Sequence, residues 1–260
     1  MTDKDNLISH ILDLKEKAAT ESVITSSGFL SLEEQSLIIR AEKINNKYVD
    51  TVYFGGYEDA ERKIAVFVPS FYAVEYDGLA DFLDESEASP LTVLRVKKDK
   101  FSVLSHRDYL GALMGLGIKR DVIGDIIIDG DGALIICLRS IAGYIAENLR
   151  QAGRGQLTVT EAGFDALQSK ESKTETVFAS VASLRLDCLV ASAFKLSRTN
   201  AVNAINQGIV YVNSEQILKN DCNLSEGDKL VLRGKGKVVI DEILRENKKG
   251  RIHINIKRYL

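Results

Sequence analysis

The stretch that decides the fold of the basic part of the chain runs from Ser183 to Asn213 and reads SLRLDCLVASAFKLSRTNAVNAINQGIVYVN. Apolar residues recur at helical spacing in its first part, which predicts a helix ending before Ser197. Serine commonly caps a helix N-terminus and glycine commonly follows a helix C-terminus, so Ser197 and Gly208 delimit a second predicted helix. Ile209–Val212 then predicts a strand. The stretch therefore indicates two short helices that lead directly into a sheet.

The second predicted helix has an apolar face and a polar face. Val202 and Ile205 should face inward, with Ala201 alongside, whereas the outward side chains are available to a partner. Arg198 lies in the first turn, where unpaired backbone N–H groups and the helix dipole favour an anion. A phosphate bound there would suit both the helix and the guanidinium. The outward polar residues are Asn200, Asn203 and Gln207.

Charge is distributed unevenly along the chain. Of its 260 residues, 34 are Lys or Arg and 37 are Asp or Glu, which gives a net charge of −3. Residues 176–260 hold 14 Lys or Arg against 8 Asp or Glu, a local charge of +6, so the first 175 residues carry −9. A basic end on an acidic body indicates a phosphate-bearing partner, because each neutralised phosphate releases counterions.

Glycines alternate with cations beyond the predicted strand. A tight turn at Glu226-Gly227-Asp228 leads toward Arg233-Gly234-Lys235-Gly236-Lys237. The glycines allow the backbone to approach a partner closely, and the cations can contact phosphates. Lys248-Lys249-Gly250-Arg251 is a predicted turn between the strands Val238–Leu244 and Ile252–Tyr259. This second turn either widens the basic face or is an ordinary solvated turn.

The basic region resembles the S4 RNA-binding domain, which occurs in a small-subunit ribosomal protein and in many RNA-modifying enzymes. The matching residues are Arg185-Leu186-Asp187, Ser197-Arg198, Ile205, Gly208, Val210, Val212-Asn213, Gly227-Asp228 and Arg233-Gly234. The resemblance and the charge pattern together predict a surface for structured RNA. Its predicted RNA-binding residues are Arg185, Lys195, Ser197, Arg198, Asn200, Asn203, Gln207, Arg233, Lys235, Lys237 and Arg251.

The first part of the acidic body predicts helices followed by a strand pair. A capping box at Ser31–Glu34 should start a helix. Two strands, Thr51–Phe54 and Ile64–Val68, are separated by a loop that begins with Gly55-Gly56. A phosphate-cradling loop is the functional alternative, but the loop lacks the required G-x-x-x-x-G-K pattern and a following helix. We therefore interpret the double glycine as a structural turn.

The next part predicts strands and helices in the order β-α-β-β-α-β. Two of the strands are joined by Asp129-Gly130-Asp131-Gly132, a strong hairpin signal. This order is that of a ferredoxin-like, or RRM-like, domain. The third strand, Ala133–Leu138, has no aromatic side chain on which a base could stack. We therefore expect a scaffold or a shape-reading surface here rather than a base reader.

Two further groups of residues extend the resemblance over nearly the whole chain. Phe54-Gly55-Gly56-Tyr57 with Ala60-Glu61-Arg62-Lys63, and His106–Leu113 followed by Gly117–Arg120 and Gly124-Asp125-Ile126, are similar to signatures of the YlmH family. The resemblance implies binding to ribosomal RNA and tRNA on the large ribosomal subunit. It also implies a part in the rescue of stalled translation and a link with cell division.

Asp187 is a candidate catalytic carboxylate. Pseudouridine synthases use an aspartate in an Arg-Leu-Asp context, and many of them carry an S4 domain. The continuation Cys188–Ser192 lacks the Thr/Ser-x-Gly of those enzymes, so we interpret Asp187 as structural, orienting Arg185 or capping backbone. We predict no catalytic residue. The alternatives are an S4-anchored, pseudouridine synthase-like enzyme and a cell-division-linked adaptor protein.

Composition predicts neither a cofactor nor a metal site. Cys137, Cys188 and Cys222 are far apart and form no C-x-x-C pair. No apolar run is long enough for a membrane span, and the beginning of the chain lacks the pattern of a signal peptide. We therefore expect a cytoplasmic protein with no membrane partner and no small-molecule substrate.

The predicted class is α+β with three modules. Residues 1–76 form an N-terminal helix and β-hairpin domain, and residues 77–167 form the RRM-like domain. The acidic stretch Asp77–Glu87 marks the boundary between them. Residues 168–180 are a polar linker, and residues 181–260 form the S4 domain with its C-terminal hairpin.

Overall fold

The computed structural model describes residues 3–44, 49–69, 83, 89–168, 174–247 and 250–259. Within these ranges the strands form three sheets. The chain divides into two units, the first made of residues 1–31 and 41–170 and the second of residues 32–40 and 171–260. Both units combine helices with antiparallel strands, so the predicted α+β class is confirmed.

The chain begins with helices and a hairpin. The elements are α1 (Asp3–Glu21), β1 (Thr25–Ser26), α2 (Leu32–Ile44), β2 (Val49–Phe54) and β3 (Ile64–Pro69). Strand β3 lies between β1 and β2, and β2 and β3 pair as the predicted hairpin. Gly56 in the connecting loop has φ +89°, a conformation that favours glycine, so the double glycine is a turn here.

The remaining elements of the first unit contain the predicted order β-α-β-β-α-β. They are β4 (Leu91–Lys98), α3 (His106–Gly115), β5 (Ile123–Asp129), β6 (Gly132–Leu138), α4 (Arg139–Asn148), the short strand β7 (Gln151–Ala152), β8 (Gly155–Ala162) and α5 (Asp165–Gln168). The sheet has the order β5-β6-β4-β8-β7, and every neighbouring pair is antiparallel. Strands β5 and β6 are joined at the predicted hairpin turn.

Helices cover one face of this sheet, and the β2–β3 hairpin covers part of the other, on which Lys97, Thr158 and Thr160 are exposed. Helices α3 and α4 pack on one face through Tyr109 and Ile145. On the other face, Val93 and Ile136 are fully buried in a cluster that includes Val66 of the β2–β3 hairpin. The predicted boundary at residues 76 and 77, and most of the acidic stretch around it, lie outside the described residues. The segments before and after that boundary nevertheless share one hydrophobic core.

The second unit is built on one large sheet with two helices packed against it. Its elements are β9 (Thr174–Val181), α6 (Leu186–Ala193), α7 (Arg198–Asn206), β10 (Val210–Val212), β11 (Glu215–Gln216), β12 (Lys229–Leu232), β13 (Gly236–Glu246) and β14 (Ile252–Tyr259). The order in the sheet is β11-β10-β12-β13-β14-β9. Both helices and most of these strands contribute buried side chains to one cluster, which is the core of this unit. The predicted C-terminal hairpin is present as β13 and β14.

The prediction of a linker over residues 168–180 is wrong for residues 174–180. These residues belong to β9, which pairs with β14 along its full length from Thr174 to Val181. Polar residues at the start of the segment concealed the apolar period-two pattern of Val177, Ala179 and Val181, none of which is fully exposed. Residues 169–173 lie outside the described residues.

No helix in the described ranges is long and apolar enough to cross a membrane.

Candidate nucleic-acid interface

Both ends of α7 have the predicted capping residues. The Ser197 hydroxyl accepts the Asn200 N–H at 3.2 Å, which is the expected N-cap bond. Gly208 has φ +70°, and the N–H groups of Gly208 and Ile209 donate to the carbonyls of Ile205 and Ala204. This pair of bonds is a Schellman motif, and it fixes the direction in which the chain enters β10.

The exposed face of α7 carries the predicted polar residues. Asn200, Asn203 and Gln207 are exposed and lie three and four positions apart, on one side of the helix. The buried side differs in one position from the prediction, since Val202 is only half-buried and Ala204 is buried with Ala201 and Ile205. The small alanines allow α7 to approach α6 closely.

Asp187 lies between two arginines near the start of α6. Arg185 donates from Nε and Nη2 to the two carboxylate oxygens at 3.1 and 3.2 Å. Arg198 donates from Nε and Nη2 to Oδ2 at 3.3 and 3.0 Å. Asp187 itself is 2% exposed, and its Oδ1 also accepts the Cys188 N–H at 2.9 Å. The carboxylate is therefore a buried anchor for two partly exposed cations.

The energetics of this cluster favour the ionised carboxylate. Burial alone would raise the pKa of Asp187, but the hydrogen bonds from Arg185 and Arg198 outweigh it and lower the pKa to about 2. The hydrogen bond with Asp187 likewise raises the pKa of Arg185. The interpretation of Asp187 as a partner for Arg185 agrees with this geometry. Two nitrogens of Arg198 bind Asp187, and the phosphate contact of this residue stays a prediction.

The glycine–cation run forms the turn between β12 and β13. Arg233 and Lys235 are exposed there, and the Arg233 N–H donates to the Ile209 carbonyl at 3.0 Å. The turn therefore begins beside the C-terminal end of α7, next to Gln207. Arg198 and Gln207 are nine residues apart on the helix, which separates them by about 13 Å. We take the turn and the exposed face of α7 together as the candidate RNA surface.

Two cations of this surface have partners within the second unit. The Lys237 ammonium lies over the Tyr259 ring, 3.9 Å from its centroid. The Arg233 guanidinium lies 3.9 Å from the Glu33 carboxylate, with both side chains largely exposed. An exposed ion pair contributes little to stability, so Arg233 can exchange Glu33 for a phosphate at small cost.

Lys195 and Arg251 have different placements. Lys195 is exposed in the turn between α6 and α7 with φ +53°, so it lies beside the N-terminus of α7. Arg251 lies at the other end of the β13–β14 hairpin from Lys237, about 25 Å away along the strands. Its guanidinium donates to the hydroxyl and carbonyl of Ser180. The structure therefore does not bring Arg251 together with the other predicted residues, and Lys248 and Lys249 lie outside the described residues.

In the first unit, the signature residues meet around Asp125. The Tyr57 hydroxyl and the Glu61 N–H donate to Asp125 Oδ2 at 2.9 and 2.7 Å, and the Arg62 N–H donates to Oδ1 at 3.1 Å. The Arg62 guanidinium donates to the carbonyls of Phe29, Arg120 and Ile123. These motifs therefore join the β2–β3 loop to the start of β5, which is a structural role.

The loop after β4 is a feature that sequence reasoning missed. It carries Phe101 and Val103, each 96% exposed. The signal in the sequence is an apolar pair after three lysines, outside any helical or strand period. Among the described residues no group of three or more His, Cys, Asp or Glu side chains could hold a metal ion.

Three comparisons relate the chain to known proteins. Residues 88–166 match the family model described as "Putative RNA-binding domain in YlmH". The chain is 29% identical over 257 residues to "Ribosome-associated protein quality control protein P2" of Bacillus subtilis (strain 168), and the match covers 98% of this chain and 95% of that protein. The solved structure of "Cell division protein ylmH from Streptococcus pneumoniae" is 18% identical with a TM-score of 0.48, covering 64% of this chain and 95% of that one.

The domain match and the nearly full-length relative define the class, which is that of RNA-binding proteins. Within this class, residues 88–166 match the RNA-binding domain of the YlmH family, and the nearly full-length relative supports a YlmH-like RNA-binding protein. The resemblance predicted from the signature residues is therefore confirmed. The family model covers β4 to α5, a region for which the sequence patterns named no RNA-binding residue.

Proposed function

We propose that the chain is a non-enzymatic factor that binds structured ribosomal RNA and tRNA on the large ribosomal subunit and takes part in the rescue of stalled translation. Its second unit acts as an S4 domain in this proposal. The exposed face of α7 and the β12–β13 turn form the RNA surface. The observation that carries the proposal is the pair of arginines held around Asp187 at one end of this surface, with Arg233 and Lys235 at the other.

The geometry suits a phosphate-bearing partner. Arg185 and Arg198 use Nε and Nη2 on Asp187, and the Nη1 group of each takes no part in that pairing. A guanidinium held in place by a carboxylate loses less side-chain freedom when it binds a phosphate. The amides of α7 lie between the two cationic ends and can contact sugar or base edges. Cations at both ends with polar groups between them can contact separate phosphates of one RNA.

The relatives supply the biological setting. The Bacillus subtilis protein, which matches almost end to end, is named for ribosome-associated quality control. The matched RNA-binding domain lies in the first unit, so we infer that both units contact RNA. This setting also supports a cytoplasmic location and an RNA partner rather than a small-molecule substrate. A cell-division-linked adaptor is the second candidate, which the resemblance of the signature residues also implies.

The surroundings of Asp187 argue against the pseudouridine synthase-like alternative. A catalytic aspartate must reach the substrate, but Asp187 is buried and its two oxygens accept five hydrogen bonds from Arg185, Arg198 and the Cys188 N–H. This arrangement supports a positioning role for the carboxylate.

Co-sedimentation of the full chain with purified ribosomal subunits tests the proposal. We expect the protein to sediment with the large subunit and to be released when ribosomes are treated with ribonuclease. Sedimentation that survives nuclease treatment would favour a protein partner and the adaptor function. Failure to sediment with either subunit, or with ribosomes carrying peptidyl-tRNA, would contradict the proposal.

A further inference from the structure

The loop between β4 and α3 exposes an aromatic ring that the fold does not use. Phe101 and Val103 are each 96% exposed, more than any other large apolar residue among those described. Burial of such side chains is a main source of folding free energy, so their exposure forgoes stability. Exposed apolar groups of this kind commonly mark a contact with a partner.

The loop is held in one conformation by Asp99. Its Oδ1 accepts the N–H groups of Phe101 and Ser102 at 3.0 Å each, and its Oδ2 accepts the Ser102 hydroxyl at 2.6 Å and the Gln156 N–H at 2.9 Å. The hydrogen bond with Ser102 and these backbone donors lower the pKa of Asp99, so the carboxylate stays ionised. The exposed ring therefore stands on an ordered turn rather than on a loose segment.

The β7–β8 turn packs against this loop and adds a cation. A Cβ at Gly155 would lie 2.8 Å from the Ser102 hydroxyl, and one at Gly153 would lie 3.4 Å from the Asp108 carboxylate. Only glycine fits such a close approach at position 155. Arg154, between the two glycines, is consequently placed beside the loop, and it is exposed.

The charge around the ring is mostly positive. The exposed or half-exposed cations of the surrounding segments are Lys97, Lys98, Lys100, Arg107 and Arg154. Of the acids, Asp99 is engaged in the turn and Asp108 accepts the N–H and hydroxyl of Ser105 at 2.7 Å. Asp131 lies at the foot of the loop, where its carbonyl accepts the Lys98 N–H. Five cations against the three carboxylates leave a local excess of positive charge, which favours a polyanion.

The sheet of this domain offers no aromatic side chain on its exposed part among the described residues. In an RRM the sheet itself stacks on bases, but here one face is buried beneath α3 and α4, the β2–β3 hairpin covers the region of Val93 and Ile136 on the other, and the part of that face left exposed along β4 and β8 carries Lys97, Thr158 and Thr160. A loop at the edge of the sheet is then the place where an aromatic side chain can reach a base.

We propose that Phe101 stacks on an unpaired RNA base while Lys100, Arg107 and Arg154 contact the neighbouring phosphates. The inference rests on the proposed function, because it names a second RNA contact, in the first unit. An aromatic ring between cations is the usual arrangement for single-stranded RNA, since every base offers a stacking face and the backbone is anionic.

The test uses the full chain and a fluorescently labelled single-stranded RNA of about 12 nucleotides, a length that one such surface can hold. The sequence has no tryptophan, so Phe101→Trp introduces a single indole. We expect Phe101→Trp to keep the affinity and to lose fluorescence as the RNA stacks on it. Phe101→Leu, which keeps apolar bulk but not the ring, should weaken binding about tenfold.

Phe178→Ala is the matched control, because Phe178 is an exposed aromatic residue at 57% on β9 in the other unit. It should bind the oligonucleotide as the parent does. Equal affinity of Phe101→Leu and the parent, an unquenched Phe101→Trp, or a parent that does not bind the oligonucleotide would each overturn the inference. The first of these outcomes would point to a protein that docks on the apolar tip. Co-sedimentation of the parent with ribosomes is measured in parallel, because it tests the proposed function separately. If the parent sediments with ribosomes but Phe101→Leu binds the oligonucleotide as the parent does, only this inference is refuted.

Discussion

Arg198 donates two hydrogen bonds to one oxygen of Asp187, at 3.3 and 3.0 Å, although its side chain is 61% exposed and that of Asp187 is almost fully enclosed. An exposed cation is thus attached to a buried anion. The position of the guanidinium is set by the core of the second unit rather than by the flexible stem of the arginine. We therefore expect this residue to combine a stabilising and a binding role, which the predictions below separate.

Replacement of Arg198 by alanine should release the protein from ribosomes. It removes a positioned phosphate contact, for which we expect about tenfold or greater loss of affinity. It also removes one of the two partners of Asp187, so the free energy of unfolding should fall by about 1 kcal/mol, less than the whole stability of a domain. Co-sedimentation and thermal melting measure the two effects.

Arg198→Lys is the comparison that isolates geometry. A lysine keeps the charge but cannot offer two donors in a plane, so it should restore stability better than ribosome binding. An Arg198→Ala variant that sediments like the parent would show that this residue acts only within the fold.

Asp187→Asn should destabilise the second unit without affecting any RNA modification. The substitution removes the carboxylate charge shared by two partly exposed arginines, and the lowered pKa of Asp187 corresponds to a loss of about 2 kcal/mol. Urea unfolding measures the loss. Maps of modified ribosomal nucleotides from cells with and without the gene test the chemistry, and a pseudouridine that disappears with the gene would refute the non-enzymatic proposal.

Acid should remove the contribution of the Asp187 carboxylate to the free energy of unfolding over a defined pH range. Its pKa is about 2 in the folded protein against an ordinary value of 3.8, so the stabilisation is complete above about pH 4 and is lost as the pH falls toward 2. The size of the loss is about 2 kcal/mol. Free energies of unfolding measured at pH 4 and pH 2 should therefore change less in Asp187→Asn than in the parent, and equal changes would contradict the shift.

Binding to ribosomal RNA should weaken steeply as salt rises. If Arg233 and Lys235 neutralise phosphates, the logarithm of affinity falls linearly with the logarithm of salt concentration. Removing both by alanine substitution should lower the affinity and reduce that slope by about 2. Arg251→Ala is the matched control, because Arg251 lies at the far end of the hairpin and binds Ser180. A slope unchanged in the Arg233 and Lys235 double variant would remove these residues from the interface.

Two glycines should respond in opposite ways to alanine. At Gly208, φ is +70° and a Cβ would lie 2.6 Å from the Gln216 amide nitrogen, so Gly208→Ala should cost about 1 kcal/mol or more. Gly143 lies in α4, and a Cβ added there would have no neighbour within 4 Å, so Gly143→Ala should raise stability by about 0.5–1 kcal/mol. Thermal melting of the two variants checks the contrast, and a neutral Gly208→Ala would show that α7 can end without a Schellman motif.

Much of the local structure could be predicted because it depends on neighbours in the chain. The Ser197 cap, the Gly208 turn, the hairpin at Asp129–Gly132 and the C-terminal hairpin all arise from residues a few positions apart. The relation between Asp187 and Arg185 is of the same kind, since they are separated by two positions. Local signals of this type survive in a single sequence.

What could not be predicted depends on distant packing. The strand β9 was concealed because its partner, β14, begins about 70 residues later. Asp187 lies on α6 and Arg198 on α7, so their hydrogen bonds form only when the two helices pack against each other. Sequence periodicity within one helix does not predict such a contact. Phe101 has no periodic context at all, so the sequence pattern does not predict its exposure, which depends on how the loop after β4 folds. The S4 assignment and the module boundaries other than the linker over residues 174–180 stay predictions.

The burial of part of one face of the RRM-like sheet under the β2–β3 hairpin also has a consequence for biosynthesis. Val66 leaves the ribosome before its partners Val93 and Ile136, which are synthesised 27 and 70 residues later. The apolar side of the hairpin therefore lacks these partners until β6 has been synthesised. A nascent chain that stalls within this interval exposes apolar surface to chaperones. A fragment limited to residues 88–166 would expose the complementary apolar surface and aggregate.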